Sequence, residues 1–302
     1  MTFTTQIKEE ITKEENNNIE DLTSLCTYLK FNATLEEDKM TVMVVNASVA
    51  RWIFKLLKTN YNVLIKLTTR TMKRFKARNL YILEVKEKLD LIYKDIDNIF
   101  KEISTSSDEE KKAFLKGMFL ACGSINDPKK NQYHLEFLVK EEEDAKLIDD
   151  LLNSLKIKSK VLKRDREYMV YVKSSENISD FIKYLGAFNA LFYFEDIRIY
   201  KDHKNMVNRL NNCEQANVER TLKSSKTVLD NIKYLEDNDL LMLLDDRSKE
   251  IIEYKKKYPD TSLGELAEII TMETNKSITK SGINHHFRKI NALVKKAKEN
   301  HE

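Results

Sequence analysis

Residues 114–128 read Phe-Leu-Lys-Gly-Met-Phe-Leu-Ala-Cys-Gly-Ser-Ile-Asn-Asp-Pro, and this stretch decides the fold that the sequence predicts. Its apolar side chains would lie on nearly every side of a helix, which is typical of a buried central helix. Glycine costs about 1 kcal/mol relative to alanine in mid-helix, so Gly117 predicts another backbone passing too close for a side chain. Gly123 and the Asn-Asp-Pro sequence at 126–128 predict a left-handed cap and a turn after the helix.

An earlier stretch has the same layout, because Leu25–Ala33 aligns with Leu115–Gly123 at an offset of 115 − 25 = 90 residues. Each stretch is followed by an amphipathic helix that ends in Leu-Leu, at 56–57 and 151–152, an offset of 151 − 56 = 95 residues. A basic strand–turn–strand segment follows each of these helices. We infer that one unit is used twice. The alternative is that two apolar helices of similar length arose by chance.

Small and large residues alternate in the opening stretch, which resembles the LAGLIDADG helix, the paired central helix of homing endonucleases. Motifs in one order along most of the chain are similar to those of the WhiA family of bacterial regulators. These motifs are Ala113-Phe-Leu-Lys-Gly-Met-Phe-Leu-Ala-Cys-Gly-Ser-Ile125, Tyr133-His-Leu-Glu-Phe137, Leu185-Gly-Ala187, Phe194-Glu-Asp-Ile-Arg-Ile199, Asn205-Met-Val-Asn-Arg209, Asn212-Cys-Glu-Gln-Ala-Asn217 and Ile278-Thr-Lys-Ser-Gly-Ile-Asn-His285.

The resemblance implies an α+β fold, in which a duplicated LAGLIDADG-like αββαββα domain precedes an all-α helix-turn-helix domain. We expect a first LAGLIDADG-like half at 1–103, a second half at 104–204, a linker helix at 205–239 and the helix-turn-helix domain at 240–302.

Some residues differ from the family pattern. Positions 286–287 read His-Phe where Arg-Leu is usual, Lys204 replaces a usual Arg, and Thr27 and Ala33 depart from the motif of the first copy.

Composition restricts the kind of protein. The chain has 302 residues, 52 Lys and Arg against 49 Asp and Glu, and a net charge of +3, so any affinity for nucleic acid must come from local patches. The odd, widely spaced cysteines Cys26, Cys122 and Cys213 lack metal-ligand spacing and predict buried, reduced thiols in a cytoplasmic protein. The N-terminal sequence has helical spacing, and no apolar run approaches membrane length, so we expect no membrane span.

Periodicity and capping residues place the elements. In the first copy we expect helices at 3–13 and 21–31, a strand at 40–45, a helix from Ser48 to 58, strands at 62–69 and 79–85, and a helix at 89–103. In the second we expect strands at 133–139, 158–163 and 168–173 and helices at 142–155 and 178–185. Residues 188–200 should dock on the core, and 205–234 should form a long polar helix that leads to the second domain. Helices are expected at 241–258, 262–272 and 281–299, with a capping box at Ser262–Glu265 and an N-cap at Ser281.

A LAGLIDADG nuclease needs an acidic residue at the foot of each central helix, because paired carboxylates gather divalent cations at the scissile phosphates. In this chain the matching positions are Asn32 and Cys122, and neither is a suitable anion. The nearest acid, Asp127, would lie beyond the helix in a turn. We therefore expect no catalytic residues, no metal and no cofactor, and a residual nuclease that uses Asp127 is the alternative. The same lack of acids is implied for the family.

Other catalytic patterns are sparse. His134 alternates with apolar strand positions, which favours a structural histidine over a general base. Cys122 reads as a small core residue. Cys213-Glu214 has only His203 as a nearby histidine, and phosphate-binding glycine loops are lacking. We expect no small-molecule substrate.

The segment from Lys276 to Lys298 contains seven Lys or Arg and no Asp or Glu. Two helices joined by a short turn, the second one basic, follow the helix-turn-helix plan, here about Thr261 to Val294. Asn can pair with adenine and Arg or Lys with guanine or phosphate, while Ile283, Phe287, Ile290 and Val294 form a core stripe. The expected DNA contacts are Lys280, Ser281, Asn284, His285, His286, Arg288 and Lys289. The alternative is a solvated basic helix without a ligand.

The basic turns of the first domain offer a second DNA surface, since in the LAGLIDADG arrangement the strands form a saddle in the major groove. Its expected residues are Arg70, Lys73, Arg74, Lys76, Arg78, Lys163, Arg164 and Arg166. They would give salt-dependent affinity with little sequence preference. The alternative is that they are solubilising hairpin tips.

A further polar cluster lies in the segment that best matches the family, and consists of Glu195, Arg198, Asn208, Arg209, Asn212 and Glu214. One interpretation is a buried or interdomain network of ions and amides, since isolated buried charges are costly. The other interpretation is a surface for a partner protein.

The sequence therefore predicts a cytoplasmic, nucleoid-associated bacterial DNA-binding transcriptional regulator with a non-catalytic LAGLIDADG-like scaffold. Its expected partners are double-stranded DNA and a protein of transcription or division. The resemblance, and not charge or periodicity, implies links to cell division, chromosome segregation and, in spore formers, sporulation. The alternatives are a residual metal-dependent endonuclease and a division scaffold that does not depend on DNA.

Overall fold

The computed structural model describes residues 2–14, 17–72 and 78–299, without the side chains of Met72 and Arg78. The chain divides into two compact units, residues 1–202 and 203–302. The finer boundaries predicted at 103/104, 204/205 and 239/240 stay predictions. No helix within the described ranges is both long and apolar enough to cross a membrane.

The first unit begins with helix α1 (Phe3–Ile11) and then repeats one order of elements. The first copy consists of α2 (Asn18–Asn32), β1 (Ala33–Leu35), β2 (Met40–Val44), α3 (Ala47–Tyr61), β3 (Ile65–Met72), β4 (Arg78–Val85) and α4 (Leu89–Glu102). The second consists of α5 (Asp108–Cys122), β5 (Gly123–Ile125), β6 (Leu135–Val139), α6 (Glu142–Ser154), β7 (Lys160–Arg164), β8 (Glu167–Val172) and α7 (Ser175–Tyr184). The predicted duplicated αββαββα fold is confirmed.

The offset between the copies changes along the chain. Helices α2 and α5 are each 15 residues long and begin and end 90 residues apart (108 − 18 and 122 − 32). From β2 and β6 to the starts of β3 and β7 the offset is 95 residues (135 − 40, 142 − 47 and 160 − 65), and it falls to 89 residues at β4 and β8 (167 − 78). The connection between the first two strands is residues 36–39 in the first copy and 126–134 in the second, so an insertion there explains the change from 90 to 95 residues.

In the part of the chain that the structure describes, each copy forms a four-stranded antiparallel sheet, with strand orders β1-β2-β4-β3 and β5-β6-β8-β7. The short strands β1 and β5 were not predicted, because three residues are too few to show an alternating pattern. Gly123 has φ −83° and ψ 147° and pairs with Phe137, so the predicted left-handed cap at Gly123 is wrong. Helix α5 runs directly into strand β5, and extended backbone is therefore needed at that residue.

The two central helices α2 and α5 pack closely at Gly117. A Cβ atom on Gly117 would lie 2.4 Å from the backbone oxygen of Ser24 and 2.8 Å from Cβ of Thr27. Ser24 Oγ also donates a hydrogen bond across the helix pair to the Ala113 oxygen at 2.9 Å. The predicted close approach of a second backbone is thus confirmed, and it comes from the matching helix of the other copy.

The α5 helix also buries a charge that the apolar pattern does not predict. Lys116 is 5% exposed, and its Nζ lies 3.6 Å from Glu14 Oε2. Burial lowers the pKa of Lys116, and the neighbouring Glu14 carboxylate opposes that shift. Gly186, at φ +77°, has no Cβ, and the Glu14 carboxylate occupies that space. The backbone at Gly186 therefore helps to position the counterion of Lys116.

The second unit is helical over its described residues. Helix α8 (Phe188–Asp237) leads into α9 (Asp246–Lys257), α10 (Leu263–Thr274) and α11 (Lys280–Glu299). The segments 188–200 and 205–234, which the sequence analysis treats as two elements, form one helix, since neither Gly nor Pro interrupts the sequence between them. The α9 helix begins at Asp246 and not at 241, because the Asp245 carboxylate accepts the Ser248 N–H at 2.7 Å and caps it.

Candidate nucleic-acid interface

The last three helices pack around a common apolar core. Ile283, Phe287, Ile290 and Val294 of α11 are buried, as the predicted core stripe requires. They belong to one cluster with residues of α8, α9 and α10, namely Val228, Ile232, Leu235, Ile251, Ile252, Leu266, Ala267 and Ile270. The cluster fixes the rotation of α11 about its axis and thereby determines which polar residues are exposed.

The turn between α10 and α11 is short and held by side chains. Asn275 adopts a left-handed conformation at φ 54° after the last residue of α10. The Ile278 N–H donates to Thr271 Oγ1 at 3.2 Å, and the Gly282 N–H donates to Thr279 Oγ1 at 3.2 Å. Thr279 is thus the residue that caps α11, and the predicted cap Ser281 lies inside the first turn. The capping box predicted at Ser262 and Glu265 is confirmed.

One face of α11 carries polar side chains without a structural role. Ser281, Asn284 and Arg288 follow one another at i, i+3 and i+7 and therefore lie on one side of the helix. Ser281 and Arg288 are exposed, and Asn284 is half-buried. Lys280 and His285 are exposed beside them. Among the described residues, the Asn284 and Arg288 side chains have neither a hydrogen-bond nor an ion-pair partner, so both are available to a ligand.

Lys289, also predicted as a DNA contact, is exposed but engaged. Its Nζ lies 3.3 Å from Asp245 Oδ2 at the start of α9. The pKa of Asp245 is lowered to about 2, first by the Ser248 backbone N–H and to a smaller extent by Lys289. A phosphate would therefore have to compete with a carboxylate for this lysine.

His286 is the predicted contact that lies away from this face. It is three residues after buried Ile283 and four before buried Ile290, so its ring turns toward the protein. Its Nδ1 lies 2.8 Å from Ser248 Oγ, and burial lowers its pKa. We correct the prediction for His286, because its ring packs against α9 and not toward solvent.

A buried lysine holds the connection between α9 and α10. Lys255 is 1% exposed, and its Nζ donates to the backbone oxygens of Pro259 and Thr261, both at 2.9 Å. Burial lowers its pKa. Sequence reasoning missed this residue among Lys255, Lys256 and Lys257, and its i+4 spacing from buried Ile251 is the signal that could have found it.

Substituting Lys255 with methionine is expected to lower the free energy of opening of the helix-turn-helix region by about 1–3 kcal/mol. The aliphatic volume is retained, but the Thr261 oxygen loses its donor, whereas the Pro259 oxygen still accepts from Ser225 Oγ. Hydrogen exchange of the backbone amides of residues 246–299 in the full chain measures the change. The matched control is Lys256→Met, which removes an exposed ion pair with Glu236 and should change exchange little. Equal protection in wild type and Lys255→Met would contradict this role.

Of the second predicted surface, the structure describes the side chains of Arg70, Lys163, Arg164 and Arg166. In the strand register, Arg70 lies opposite Leu80, and its side chain is on the face of the first sheet away from the core. Arg164 lies opposite Glu167, on the corresponding face of the second sheet. Lys163 is one residue before Arg164 in a strand and therefore points to the other face, where it lies over the Tyr168 ring at 5.5 Å. Arg166 is exposed in the β7–β8 turn. Lys73, Arg74 and Lys76 lie outside the described residues, as does the side chain of Arg78.

At the foot of the central helices, Asn32 and Cys122 are the last residues of α2 and α5. Asn32 is exposed, and Cys122 Sγ lies 3.4 Å from the Met118 oxygen, with its thiol pKa raised to about 12 by burial. Asp127 Oδ1 accepts the Lys129 N–H at 2.9 Å and lies 3.4 Å from the Tyr193 hydroxyl. Within the described residues, no group of three or more His, Cys, Asp or Glu side chains could hold a metal ion.

A lysine of α1 lies beside this foot. Lys8 Nζ donates to the Leu120 oxygen of α5 at 3.1 Å and lies 5.5 Å from the centre of the Phe119 ring. Burial lowers the pKa of Lys8 to about 8, and interaction with the Cys122 thiol opposes this shift. A partly buried ammonium group therefore lies where a nuclease would gather metal cations, and its charge disfavours a cation there.

The pKa of Lys8 leads to a pH-dependent prediction. The folded pKa of about 8 is below the unfolded value of 10.5, so the folded state carries a cost for protonated Lys8 that disappears as pH rises from about 8 to 10.5. Relative to Lys8→Met, the wild type should gain on the order of 2 kcal/mol across this window. Urea unfolding followed by the fluorescence of Trp52, the single tryptophan, measures both proteins. The exposed Lys13→Met is the control, and a constant difference from pH 7 to 10.5 would contradict the prediction.

The remaining candidate residues are partly dispersed. Glu195 and Arg198 form an ion pair at 2.7 Å, and Ser179 Oγ donates to Glu195, so this part of the polar cluster is a structural network. Its other members, Asn208, Arg209, Asn212 and Glu214, are exposed on α8.

His134 is not in a strand, and its Nε2 lies 3.2 Å from Glu136 Oε2. Cys213 is exposed, which corrects the prediction that all three thiols are buried.

Comparison with protein families gives three matches in order along the chain. The WhiA N-terminal LAGLIDADG-like domain matches residues 19–99, the WhiA LAGLIDADG-like domain matches 111–204, and the WhiA C-terminal HTH domain matches 207–294. A "Probable cell division protein WhiA" from Oceanobacillus iheyensis is 36% identical over 311 residues, which cover 99% of this chain and 98% of the relative. A protein of the same name from Bacillus cytotoxicus is 37% identical, with 98% and 97% covered.

Solved structures show the same fold. A crystal structure of full-length WhiA from Thermatoga maritima has a TM-score of 0.60 and 21% identity, and covers 98% of this chain and 99% of that one. A crystal structure of the N-terminal LAGLIDADG domain of WhiA has a TM-score of 0.51 and 21% identity, and covers 61% and 92%. With family matches along most of its length and relatives above 30% identity over nearly all of it, the chain belongs to the WhiA family.

Proposed function

We propose that the protein is a DNA-binding transcriptional regulator of the WhiA type, which inserts the exposed face of α11 into the major groove. The observation that carries the proposal is the division of α11 into two faces. One face packs into the apolar core. On the other face, the Asn284 and Arg288 side chains have no hydrogen-bond or ion-pair partner among the described residues. These two side chains are of the types that recognition helices use at base edges and phosphates.

The side chains suit the two kinds of contact that such a helix makes. The Asn284 amide can both donate to and accept from an adenine edge, whereas the Arg288 guanidinium can only donate, either to the O6 and N7 acceptors of guanine or to a phosphate. Ser281 and His285 are short or planar polar groups on the first turns, where recognition helices reach bases. Lys280 is placed for the phosphate backbone. Lys289 can bind a phosphate only if its ammonium group leaves the Asp245 carboxylate. His286 is not among the proposed DNA contacts, because its ring contacts Ser248.

The LAGLIDADG-like unit is, in this proposal, a scaffold that no longer cleaves DNA. Asn32 and Cys122 lack the charge to hold a divalent cation, and the Lys8 ammonium lies beside Cys122. Arg70, Arg164 and Arg166 supply additional salt-dependent attraction to DNA. The division into halves at 1–103 and 104–204, a linker at 205–239 and a DNA-binding domain at 240–302 is part of the same proposal.

The cellular role follows the family. Relatives named as probable cell division proteins support a role in division, and we extend it to chromosome segregation and, in spore formers, sporulation. A cytoplasmic, nucleoid-associated protein with a protein partner in transcription or division fits this role. DNA binding is the activity on which each of these roles depends.

Selection of bound fragments tests the proposal. The full-length protein is mixed with fragmented genomic DNA from its host at about 150 mM salt, and the retained fragments are sequenced. We expect a recurrent short sequence, recovered again with synthetic duplexes. Retention of no DNA, or of all fragments equally, would contradict sequence-specific regulation, and a division scaffold independent of DNA would then be the better account.

A nicking assay tests the scaffold part separately. Supercoiled plasmid incubated with the pure protein and magnesium or manganese should stay supercoiled, as should a duplex that contains the selected sequence. Metal-dependent nicking that disappears in an Asp127→Asn variant would revive the nuclease alternative, because Asp127 is the acid nearest to the foot of α5.

A further inference from the structure

A cleft of about 210 Å³ lies in the second unit between α8 and the beginnings of α10 and α11. Its lining includes Val228 and Phe287 of the core together with polar residues from all three walls. The polar residues are Arg220, Thr221, Ser224, Ser225, Lys255, Thr261, Ser262 and Lys280. The sequence motifs do not mark this cleft, because its residues are up to 67 positions apart (287 − 220).

The chemistry of the lining is that of an anion site. Arg220, Lys255 and Lys280 bring three cationic groups to the cleft, and no carboxylate is among its lining residues. Ser224 and Ser262 bring hydroxyl groups to the cleft, whereas Thr221 Oγ1 donates to the Asn217 oxygen at 3.0 Å. The exposed Arg220 and Lys280 side chains have no ion-pair partner in the described parts of the chain. Lys255 interacts with the Asp260 carboxylate, which does not line the cleft, so the positive potential there comes mainly from Arg220 and Lys280.

Lys255 and the two helix starts also affect the electrostatic potential in the cleft. Lys255 is almost fully buried and spends two of its three N–H donors on the Pro259 and Thr261 oxygens. The amino termini of α10 and α11 both open at the cleft, and unpaired N–H groups at a helix start favour anions. The Glu265 carboxylate, 2.8 Å from the Ser262 nitrogen, reduces this effect at α10 but does not line the cleft.

The cleft also adjoins the face of α11 proposed to read DNA. Lys280 belongs to both, and four residues separate it from Asn284, which is about 6 Å of helix rise. A group held in the cleft would thus lie about one turn of α11 from the base-reading side chains. A backbone phosphate is the anion that DNA presents at such a distance from its base edges.

We propose that this cleft holds one phosphate of the DNA backbone, with Arg220 of α8 as its principal ligand, and thereby sets the register of α11 in the groove. The proposal rests on the proposed DNA binding and assigns a contact outside the helix-turn-helix pair itself. Since a phosphate contact carries no sequence information, the cleft contributes equally on every duplex.

The test measures the affinity of the full chain for its selected duplex and for an unrelated duplex at several salt concentrations. Arg220→Gln is expected to weaken both by a similar factor, about 5- to 10-fold, and to reduce the slope of log affinity against log salt by about 1. Ser224→Asp, which adds a carboxylate to the lining at an exposed position, should weaken both more strongly. Lys223→Gln removes the same charge from an exposed position of α8 outside the cleft and should change the slope less.

A duplex with single neutral methylphosphonate linkages identifies the phosphate. A neutral linkage at the contacted phosphate should lower the affinity of the wild type for the duplex and leave that of Arg220→Gln unchanged.

Inorganic phosphate, added at constant ionic strength, distinguishes DNA from a free anion as the ligand of the cleft. If phosphate stabilises the wild type while Arg220→Gln and Lys223→Gln have equal salt slopes on DNA, the cleft is a free-anion site and the proposal is overturned. If the wild type binds no DNA, the proposed function fails first; if it binds DNA and Arg220→Gln matches it, the cleft proposal alone fails.

Discussion

Replacing Gly117 with alanine is expected to lower the free energy of unfolding of the first unit by about 3 kcal/mol or more. The added Cβ would meet the Ser24 oxygen at 2.4 Å and Thr27 Cβ at 2.8 Å, and neither atom can turn aside, because one is backbone and the other is the root of a side chain. The two central helices must then separate, which loosens the packing between the two copies and the Ser24–Ala113 hydrogen bond. This cost exceeds the gain of about 1 kcal/mol that alanine brings to a helix.

Trp52 makes the first unit measurable, since it is buried in α3 and packs edge-on against Tyr28 of α2 at 6.0 Å between ring centres. Urea unfolding followed by its fluorescence should show a lower midpoint for Gly117→Ala. Gly264→Ala is the matched control, because an added Cβ there would meet, among the described residues, Ser262 Oγ at the ordinary contact distance of 3.8 Å. That variant should be neutral or slightly stabilising. An unchanged midpoint for Gly117→Ala would show that the helices accommodate a methyl group and would refute the close packing.

The double substitution of Asn284 and Arg288 by alanine is expected to reduce affinity for the selected DNA sequence about 100-fold or more. A good bidentate base contact is worth about 1–3 kcal/mol, and each 1.4 kcal/mol is a factor of ten in affinity. Affinity for unrelated DNA should fall much less, because it depends mainly on phosphate contacts. Both side chains lack partners among the described residues, so their removal should leave the fold intact.

Fluorescence anisotropy with a labelled duplex, at a stated salt concentration, measures the ratio of specific to unrelated binding. Lys296→Ala is the charge control, since Lys296 is exposed on α11 but twelve residues from Asn284, which is about three and a third turns and thus another side of the helix. Each single variant should relax preference at its own base position. If the double variant keeps the wild-type ratio, α11 does not read the sequence, and the proposed function would lose its main support.

Much of this fold can be predicted from residues alone. The apolar stretch around Gly117 and its counterpart at 25–33 predicted a buried helix pair and a repeated unit, because burial on all sides leaves a local record in the sequence. The stripe Ile283, Phe287, Ile290 and Val294 predicted the core face of α11 for the same reason. The WhiA resemblance, carried by motifs along most of the chain, predicted the order of the domains and is confirmed by the family matches.

Other features were missed where the deciding partner is distant or the pattern is short. Strands β1 and β5 span three residues each, and only pairing with β2 and β6 makes them strands. Lys163 and Arg164 were both assigned to the predicted second DNA surface, although strand alternation places their side chains on opposite faces of the sheet. Lys255 looked like its solvated neighbours, and only the path of the Pro259–Thr261 turn gives it two acceptors.

The sequence by itself determined most of the helices and the longer strands, the duplication, the helix-turn-helix core and the lack of acids at positions 32 and 122. These properties depend on local periodicity and on the identity of single residues. The tertiary structure alone decided which polar groups remain free for a ligand. It turned His286 toward Ser248, tied Lys289 to Asp245, left Asn284 and Arg288 unpaired among the described residues and brought Arg220 to Lys280. Exposure and pairing depend on atoms far apart in the chain, and their arrangement is fixed only when the apolar cores pack.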